Sequence, residues 1–159
     1  MNALIAFGSN LADPENQVRR AVSAVSALEG VRVLAVSPLY RTAPVGYADQ
    51  PDFINAAALV ETTLDAPALL LALQGIERAF GRERSFRNAP RTLDLDIIDF
   101  NGEMLASDTL TLPHPRACER AFVMYPLADI APDYRINGRR IADIAAELPP
   151  QGIERLQAA

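Results

Sequence analysis

The first hundred residues switch between strand and helix periodicity in a fixed order, and that order limits the fold more than any other feature of the chain. Residues 3–7 (ALIAF) are a short apolar run ending at Gly8-Ser9-Asn10. Asp13-Pro14 reads as a helix start, because an Asp side chain can accept from free amides at an N-cap and Pro suits the first helical position. Val18, Ala21, Val22, Val25 and Leu28 keep helical spacing up to Gly30, which reads as the stop. Residues 31–37 (VRVLAVS) read as a strand halted at Pro38. The stretch from 40 to 52 (YRTAPVGYADQPD) is rich in turn formers and reads as a loop. Residues 53–62 (FINAAALVET) are a strand with Phe53, Asn55, Ala57 and Leu59 on one side. Asp65 and Pro67 open a second helix, with Leu69, Leu70, Leu73, Ile76 and Phe80 as its buried stripe and Gly81 as its stop. A further strand lies within residues 90–100. Strand, helix, strand, strand, helix, strand is the split βαβ order of a ferredoxin-like α+β sandwich, a mainly antiparallel sheet with helices packed on it.

The rest of the chain adds a hairpin and a helix. Asn101-Gly102 is a strong hairpin signal, which predicts that residues 103–106 fold back on the preceding strand. A short TLTL strand, a Pro113-His114-Pro115 loop and an apolar segment over 122–130 follow. Asn137-Gly138 makes a second tight turn before a last helix near 140–148. A length of 159 residues suits one domain with a real core, and half the residues are hydrophobic. The net charge of -5 argues against a general binder of nucleic acid or membrane surfaces. With no cationic signal segment and no long apolar run, the chain reads as cytoplasmic; a monomer acting on small molecules, with no nucleic-acid or membrane partner, is expected. One cysteine, Cys118, rules out a disulfide framework and a thiolate metal cluster. All 15 basic residues are arginine, so a phosphate-binding loop that needs a lysine is excluded.

The residues that can carry chemistry concentrate around PRTLDLDIIDF (90–100). Side chains two apart on a strand share a face, with Cα atoms about 6.5 to 7 Å apart. Asp94 and Asp96 are therefore parallel carboxylates that can converge on hard cations. A charged strand edge that discourages pairing has the same pattern. Arg82, Arg84, Arg87 and Arg91 crowd the ten residues 82–91, just upstream of the pair, in an otherwise acidic chain. Singly they read as solvated; together they look like an anion site facing a metal site, the two parts phosphoryl transfer needs. His114, the only histidine, sits between prolines where a neutral imidazole can donate to a phosphate, and Arg116 and Arg120 follow it. Phe53 and Asn55 share a strand face and Phe122 lies further on. Two rings and an amide can clamp a flat heteroaromatic ligand, though aromatic residues are more often core filler. Gln74 and Glu77 are three apart on the second helix and can share a face.

These pieces resemble the 6-hydroxymethyl-7,8-dihydropterin pyrophosphokinase family of folate biosynthesis. The resemblance rests on GSNL, YRTAPVG, DQPDFINAA, GRERSFRNAPRTLDLDI, LTLPHPR and RAFVMYPLADIAP, in the family's order over most of the chain. It implies ATP-dependent transfer of pyrophosphate to the pterin hydroxymethyl group, with release of AMP. It also implies two Mg²⁺ ions on Asp94 and Asp96, with Arg82 and Arg91 acting on the phosphates. Phe53 and Phe122 would stack on the pterin, with Asn55 and the backbone around Thr42, Ala43 and Val45 at its edge. ATP would lie against Gln74, Glu77, Arg82, Arg84, Arg91, Thr111, His114 and Arg120. The chain departs from some members at Asn88, Thr109 and Pro115, where those members carry tryptophan, arginine and tyrosine. Two other readings use parts of the same pattern: a ferredoxin-like module binding RNA or protein, and a metal-dependent nuclease built on the aspartate pair. Net charge and the lack of an aromatic RNA-binding strand pattern weigh against the first. The second does not explain the paired rings.

Overall fold

The computed structural model describes residues 1–10, 13–43, 52–81, 93–150 and 152–156. The arginine-rich segment with Arg82, Arg84 and Arg91 lies outside the described residues, as does Val45. The main elements of the first hundred residues are β1 (Asn2–Ser9), α1 (Pro14–Ser26), β2 (Val31–Val36), β3 (Tyr40–Thr42), β4 (Phe53–Thr62), α2 (Ala66–Gly81) and β5 (Leu93–Phe100). They are followed by β6 (Leu105–Ala106), β7 (Thr111–Leu112), α3 (Ala121–Ile130), β8 (Arg135–Ile136), β9 (Arg139–Arg140), α4 (Ile141–Ala146) and β10 (Ile153–Arg155).

The large sheet has the order β10-β3-β4-β1-β5, with β2 also on β4, and every pairing is antiparallel. Taken alone, β2-β4-β1-β5 is the expected ferredoxin-like sheet. β2 and β3 lie end to end along β4, one against Thr62 to Ala58 and the other against Asn55 to Phe53. Pro38 has no N–H and interrupts this long edge. Ser37 bridges the gap: its N–H donates to the Ala57 carbonyl and its Oγ accepts from the Ala57 N–H, both at 2.9 Å. β3 falls where turn-rich composition predicts loop. Backbone partners on both sides, β4 and the remote β10, override that local preference.

Alternation along β1 sends Ala3, Ile5 and Phe7 to the face covered by α1 and α2, and Leu4 and Ala6 to the face covered by α3 and α4. Leu69, Leu73 and Ile76 of α2 are buried as their spacing predicts, and Asp65 caps that helix by accepting from the Ala68 N–H at 2.9 Å. The start of α1 differs from expectation. Asp13 has φ 55° and makes no side-chain cap bond; its carbonyl accepts from the Gln17 N–H instead. That helix also ends at Ser26, short of Gly30. Asn101 and Gly102 do form a tight turn, both at positive φ. However, β6 then pairs with β7 rather than with β5. Ser107 explains the change: its hydroxyl bonds the Leu110 carbonyl and N–H, closing a second turn that brings β7 beside β6.

A bulge in β5 separates the fates of its three aspartates. Leu4 pairs with Asp99 but Ile5 pairs with Ile97, so one extra residue is inserted on β5. Before the bulge, Leu93, Leu95 and Ile97 face α1 and α2 while Asp94 and Asp96 remain exposed. After it the phase shifts, Phe100 keeps to the same core, and Asp99 is only 1% exposed. Asp99 accepts from the Tyr134 hydroxyl and from the Gly102 N–H at 3.0 Å. Burial, then the bond to Asp99, push the Tyr134 hydroxyl above its ordinary range. Asp99→Ala is expected to lower stability by about 1 to 3 kcal/mol, because it strands these donors. Tyr134→Phe should cost less, since no donor is left behind. Urea melts with an unchanged slope check both; equal losses in the two variants would show that the carboxylate acts through something other than these bonds.

Candidate active site

The cross-strand register builds the floor of a cleft from one face of β4, β1 and β5. Gly8 pairs with Asn55 on one side and Asp94 on the other, and Ala6 pairs with Ala57 and Asp96 in the same way. The side chains between the amide and the carboxylates are thus a hydrogen and a methyl group. The space they leave is a cleft of about 590 Å³. Phe53, Asn55, Asp94, Asp96, His114, Arg120 and Phe122 all line it, together with Thr42 and Ala43. Segments far apart in the chain therefore meet at one cleft. Gly8, Ala6, Ile98 and Val123 also line the cleft, and sequence reasoning had not singled them out. The only available signal was the run of small residues at alternate positions of β1.

Asn55 is 5% exposed, and its Nδ2 donates to Thr42 Oγ1 at 2.9 Å. That bond fixes the amide plane. A Cβ on Gly8 would lie 3.0 Å from Asn55 Oδ1, so glycine is needed for the amide to sit in the row. Phe53 begins β4, and Phe122 enters in the first turn of α3. Both rings are half-buried, and Phe122 also packs against the core under α3 and α4 while facing the cleft. The Arg120 guanidinium lies 5.6 Å from the centre of the Phe122 ring, within cation–π range.

His114 is held by its backbone, whose N–H donates to the Ile98 carbonyl at 2.8 Å. Its Nδ1 accepts from the Arg116 N–H at 3.2 Å. The neutral ring therefore carries its proton on Nε2, the nitrogen left to meet a ligand. Burial, followed by the positive charge of Arg120, lowers its pKa from the ordinary 6.5, while Asp96 pulls the other way.

Asp94 and Asp96 provide two hard oxygen donors on one face. Among the described residues, no group of three or more His, Cys, Asp and Glu is placed to hold a metal ion. Two carboxylates suit a cation that keeps waters and takes phosphate oxygens, the usual habit of Mg²⁺, better than a closed protein cage. Gln74, Glu77 and Thr111 do not line this cleft. Glu77 turns its carboxylate to β5 instead, accepting from the Leu95 N–H at 2.9 Å.

Fold and cleft together define an α+β protein suited to holding a flat polar ring beside a hard cation. The sequence model of the 7,8-dihydro-6-hydroxymethylpterin-pyrophosphokinase (HPPK) family matches residues 4–132. The chain is 49% identical over 156 residues to a 2-amino-4-hydroxy-6-hydroxymethyldihydropteridine pyrophosphokinase of Pseudomonas aeruginosa, covering 98% of this chain and 96% of that protein. A protein of the same name from Methylorubrum extorquens is 42% identical, with 98% of each chain covered. The chain belongs to the HPPK family. Its fold also matches a crystal structure of Plasmodium falciparum HPPK-DHPS with pteroate, with a TM-score of 0.72 at 14% identity. That match covers 92% of this chain and 42% of the Plasmodium chain.

With one histidine in the chain, its titration can be read directly by NMR. The His114 midpoint is expected below 6.5, with the Nε2–H tautomer above it. Asp96→Asn should lower the midpoint further and Arg120→Ala should raise it. Because the folded value is depressed, the stability His114 contributes is present above 6.5 and is lost as pH falls through that folded value. A midpoint at or above 6.5 would contradict the half-buried, neutral ring.

Proposed function

We propose that this chain transfers a pyrophosphoryl group from ATP to the hydroxymethyl group of 6-hydroxymethyl-7,8-dihydropterin, releasing AMP, in folate biosynthesis. The observation that carries this reading is the shared cleft: two half-buried rings and a fixed amide open into the same space as the Asp94 and Asp96 carboxylates. The pterin lies between Phe53 and Phe122, with its edge on Asn55 and on the backbone near Thr42, Ala43 and Val45. Its hydroxymethyl group then points along the Gly8 and Ala6 floor toward the carboxylates. The hydroxyl oxygen bonds to the β-phosphorus of ATP, the bond from that phosphorus to the α,β-bridging oxygen breaks, and AMP departs with the bridging oxygen. The hydroxyl proton leaves to solvent.

The nucleotide lies toward His114 and Arg120, with Gln74 and Thr111 on its outer side. Nε2–H of His114 donates to a phosphate oxygen, and the Arg120 guanidinium adds positive charge next to the Phe122 plate. Arg82, Arg84 and Arg91 complete the anion site, and Arg82 and Arg91 brace the transferred group. Asp94 and Asp96 hold two Mg²⁺ ions, which when bound neutralise the triphosphate and the charge that develops during transfer. On this reading the chain is a cytoplasmic monomer with small-molecule substrates and no nucleic-acid partner. Among the described residues no helix is long and apolar enough to cross a membrane.

Incubation with ATP, Mg²⁺ and the hydroxymethyl pterin should release AMP and the pterin diphosphate in equal amounts. Formation of ADP, or AMP without pterin product, would refute the reading. Asp94→Asn and Asp96→Asn should each lower kcat at least about 100-fold with the melting temperature kept. Charge stabilisation by such cations is worth several kcal/mol, and about 1.4 kcal/mol is tenfold in rate. Near-normal turnover in saturating Mg²⁺ would remove the metal assignment.

Phe53→Ala and Phe122→Ala should each weaken pterin binding by about 1 to 3 kcal/mol, the usual worth of stacking on a base. Affinity for an ATP analogue, measured by calorimetry, should change much less. Equal loss of both ligands with a large fall in melting temperature would return the rings to a packing role.

A further inference from the structure

Glu77 occupies an unusual place for a carboxylate. It projects from α2, the helix on the opposite side of the sheet from Phe122, and reaches the free edge of β5. Among the described residues β5 pairs only with β1. Leu95 therefore directs its N–H outward, off the sheet, and Glu77 Oε2 accepts it at 2.9 Å. Leu95 is flanked by Asp94 and Asp96, whose side chains leave the strand on the cleft face. Burial first, then the charges of Asp94 and Asp96, raise the Glu77 carboxyl above the ordinary range, and the Leu95 bond only partly offsets them. A glutamine would accept the same N–H without that repulsion.

We propose that Glu77 is a positioning residue: by holding the Leu95 amide at the open edge of β5, it sets the spacing and direction of Asp94 and Asp96 as a cation-binding pair. Among the described residues the segment that carries the pair has a strand ladder on one side only, and beyond it on the other side the His114 N–H bonds the Ile98 carbonyl. Without Glu77 the Leu95 N–H between the two carboxylates would lose its acceptor. Glu77 supplies the missing acceptor from a helix whose buried stripe, Leu69, Leu73 and Ile76, is anchored in the core. The bond thus ties the metal-facing strand to a rigid element behind the sheet. This role differs from a direct ATP contact and rests on the proposed function only for the identity of the pair as cation ligands.

The test uses the full chain with Glu77→Ala and Glu77→Gln. Two readouts are taken: hydrogen exchange of the Leu95 amide in the ligand-free protein, and affinity for Mn²⁺ together with a non-hydrolysable α,β-methylene ATP analogue. Glu77→Ala is expected to speed Leu95 exchange and to weaken Mn²⁺ binding by about tenfold or more, the usual effect of losing a group that orients a metal ligand. Pterin affinity should be unchanged. Glu77→Gln should keep both the exchange protection and most of the Mn²⁺ affinity. The inference is overturned if Glu77→Ala leaves Leu95 exchange and Mn²⁺ affinity as they were. It is also overturned if Glu77→Gln loses Mn²⁺ as fully as Glu77→Ala while Leu95 stays protected. A loss of analogue affinity in EDTA as large as the loss in Mn²⁺ would make Glu77 a nucleotide contact instead. If the wild-type chain binds Mn²⁺ with an affinity that Asp94→Asn does not change, the metal reading itself fails, and Leu95 exchange then reports only how the edge is held.

Discussion

Strand β1 is bonded on both sides, to β4 from Asn2↔Glu61 through Ser9↔Ile54 and to β5 from Ala3↔Phe100 through Ser9↔Leu93. The double pairing is what the rest of the structure depends on. It locks β4 and β5 in register, so that a residue's parity on one strand fixes its neighbour across two strands. Because Gly8 and Ala6 are small, the row from Asn55 to Asp94 and the row from Ala57 to Asp96 stay open above the sheet. Bulkier side chains at either position would fill the space between the amide and the carboxylates. On the other face the same strand contributes Ile5 and Phe7, both essentially unexposed, to the core under α1 and α2. One strand therefore adds Ile5 and Phe7 to the core on one side and a floor of small residues, Ala6 and Gly8, to the cleft on the other.

The electrostatics follow from that division. Two exposed aspartates two residues apart on one strand face put like charges at the β5 side of the cleft. The Glu77 carboxylate adds a third negative group nearby, held to the Leu95 amide. Arg120 and a neutral His114, which feels the Asp96 charge, add positive charge and a donor to the same cleft. An ordinary binding surface for RNA or protein has no need of this arrangement. α3 is itself tied to the sheet by the Tyr40 hydroxyl, which donates to Asp129 and so holds the helix that delivers Phe122.

Much of this was legible in the sequence, because alternation and helical spacing are local. The strands at 2–9, 31–36, 53–62 and 93–100, and the helices between them, follow from side-chain period alone. Asp94 and Asp96 as a same-face pair, and Phe53 with Asn55, follow from the period of two. What could not be read there depends on partners distant in the chain. β3 exists because β10, more than a hundred residues later, pairs with it. Asp99 turns onto the same sheet face as Asp94 and Asp96 because a bulge resets the strand phase, and there it is buried against Tyr134; no residue type announces that bulge. Glu77 faces the β5 edge rather than the cleft, a consequence of where α2 packs. The joining of Phe122, His114 and Arg120 to the same cleft was supplied by family resemblance and matched by the fold, since spacing alone offered no reason to connect them.

The central claim is that one cleft holds the pterin and the cation-bearing phosphates side by side. Proton linewidths of the bound hydroxymethyl pterin test it directly, measured with a non-hydrolysable ATP analogue and Mn²⁺ as a paramagnetic stand-in for Mg²⁺. The account predicts strong broadening in the wild-type protein, greatest at the hydroxymethyl protons. It also predicts that Asp94→Asn and Asp96→Asn largely remove the broadening while the pterin still binds. Sharp pterin resonances in a protein shown to hold both pterin and Mn²⁺ would place the two ligands apart and contradict the account.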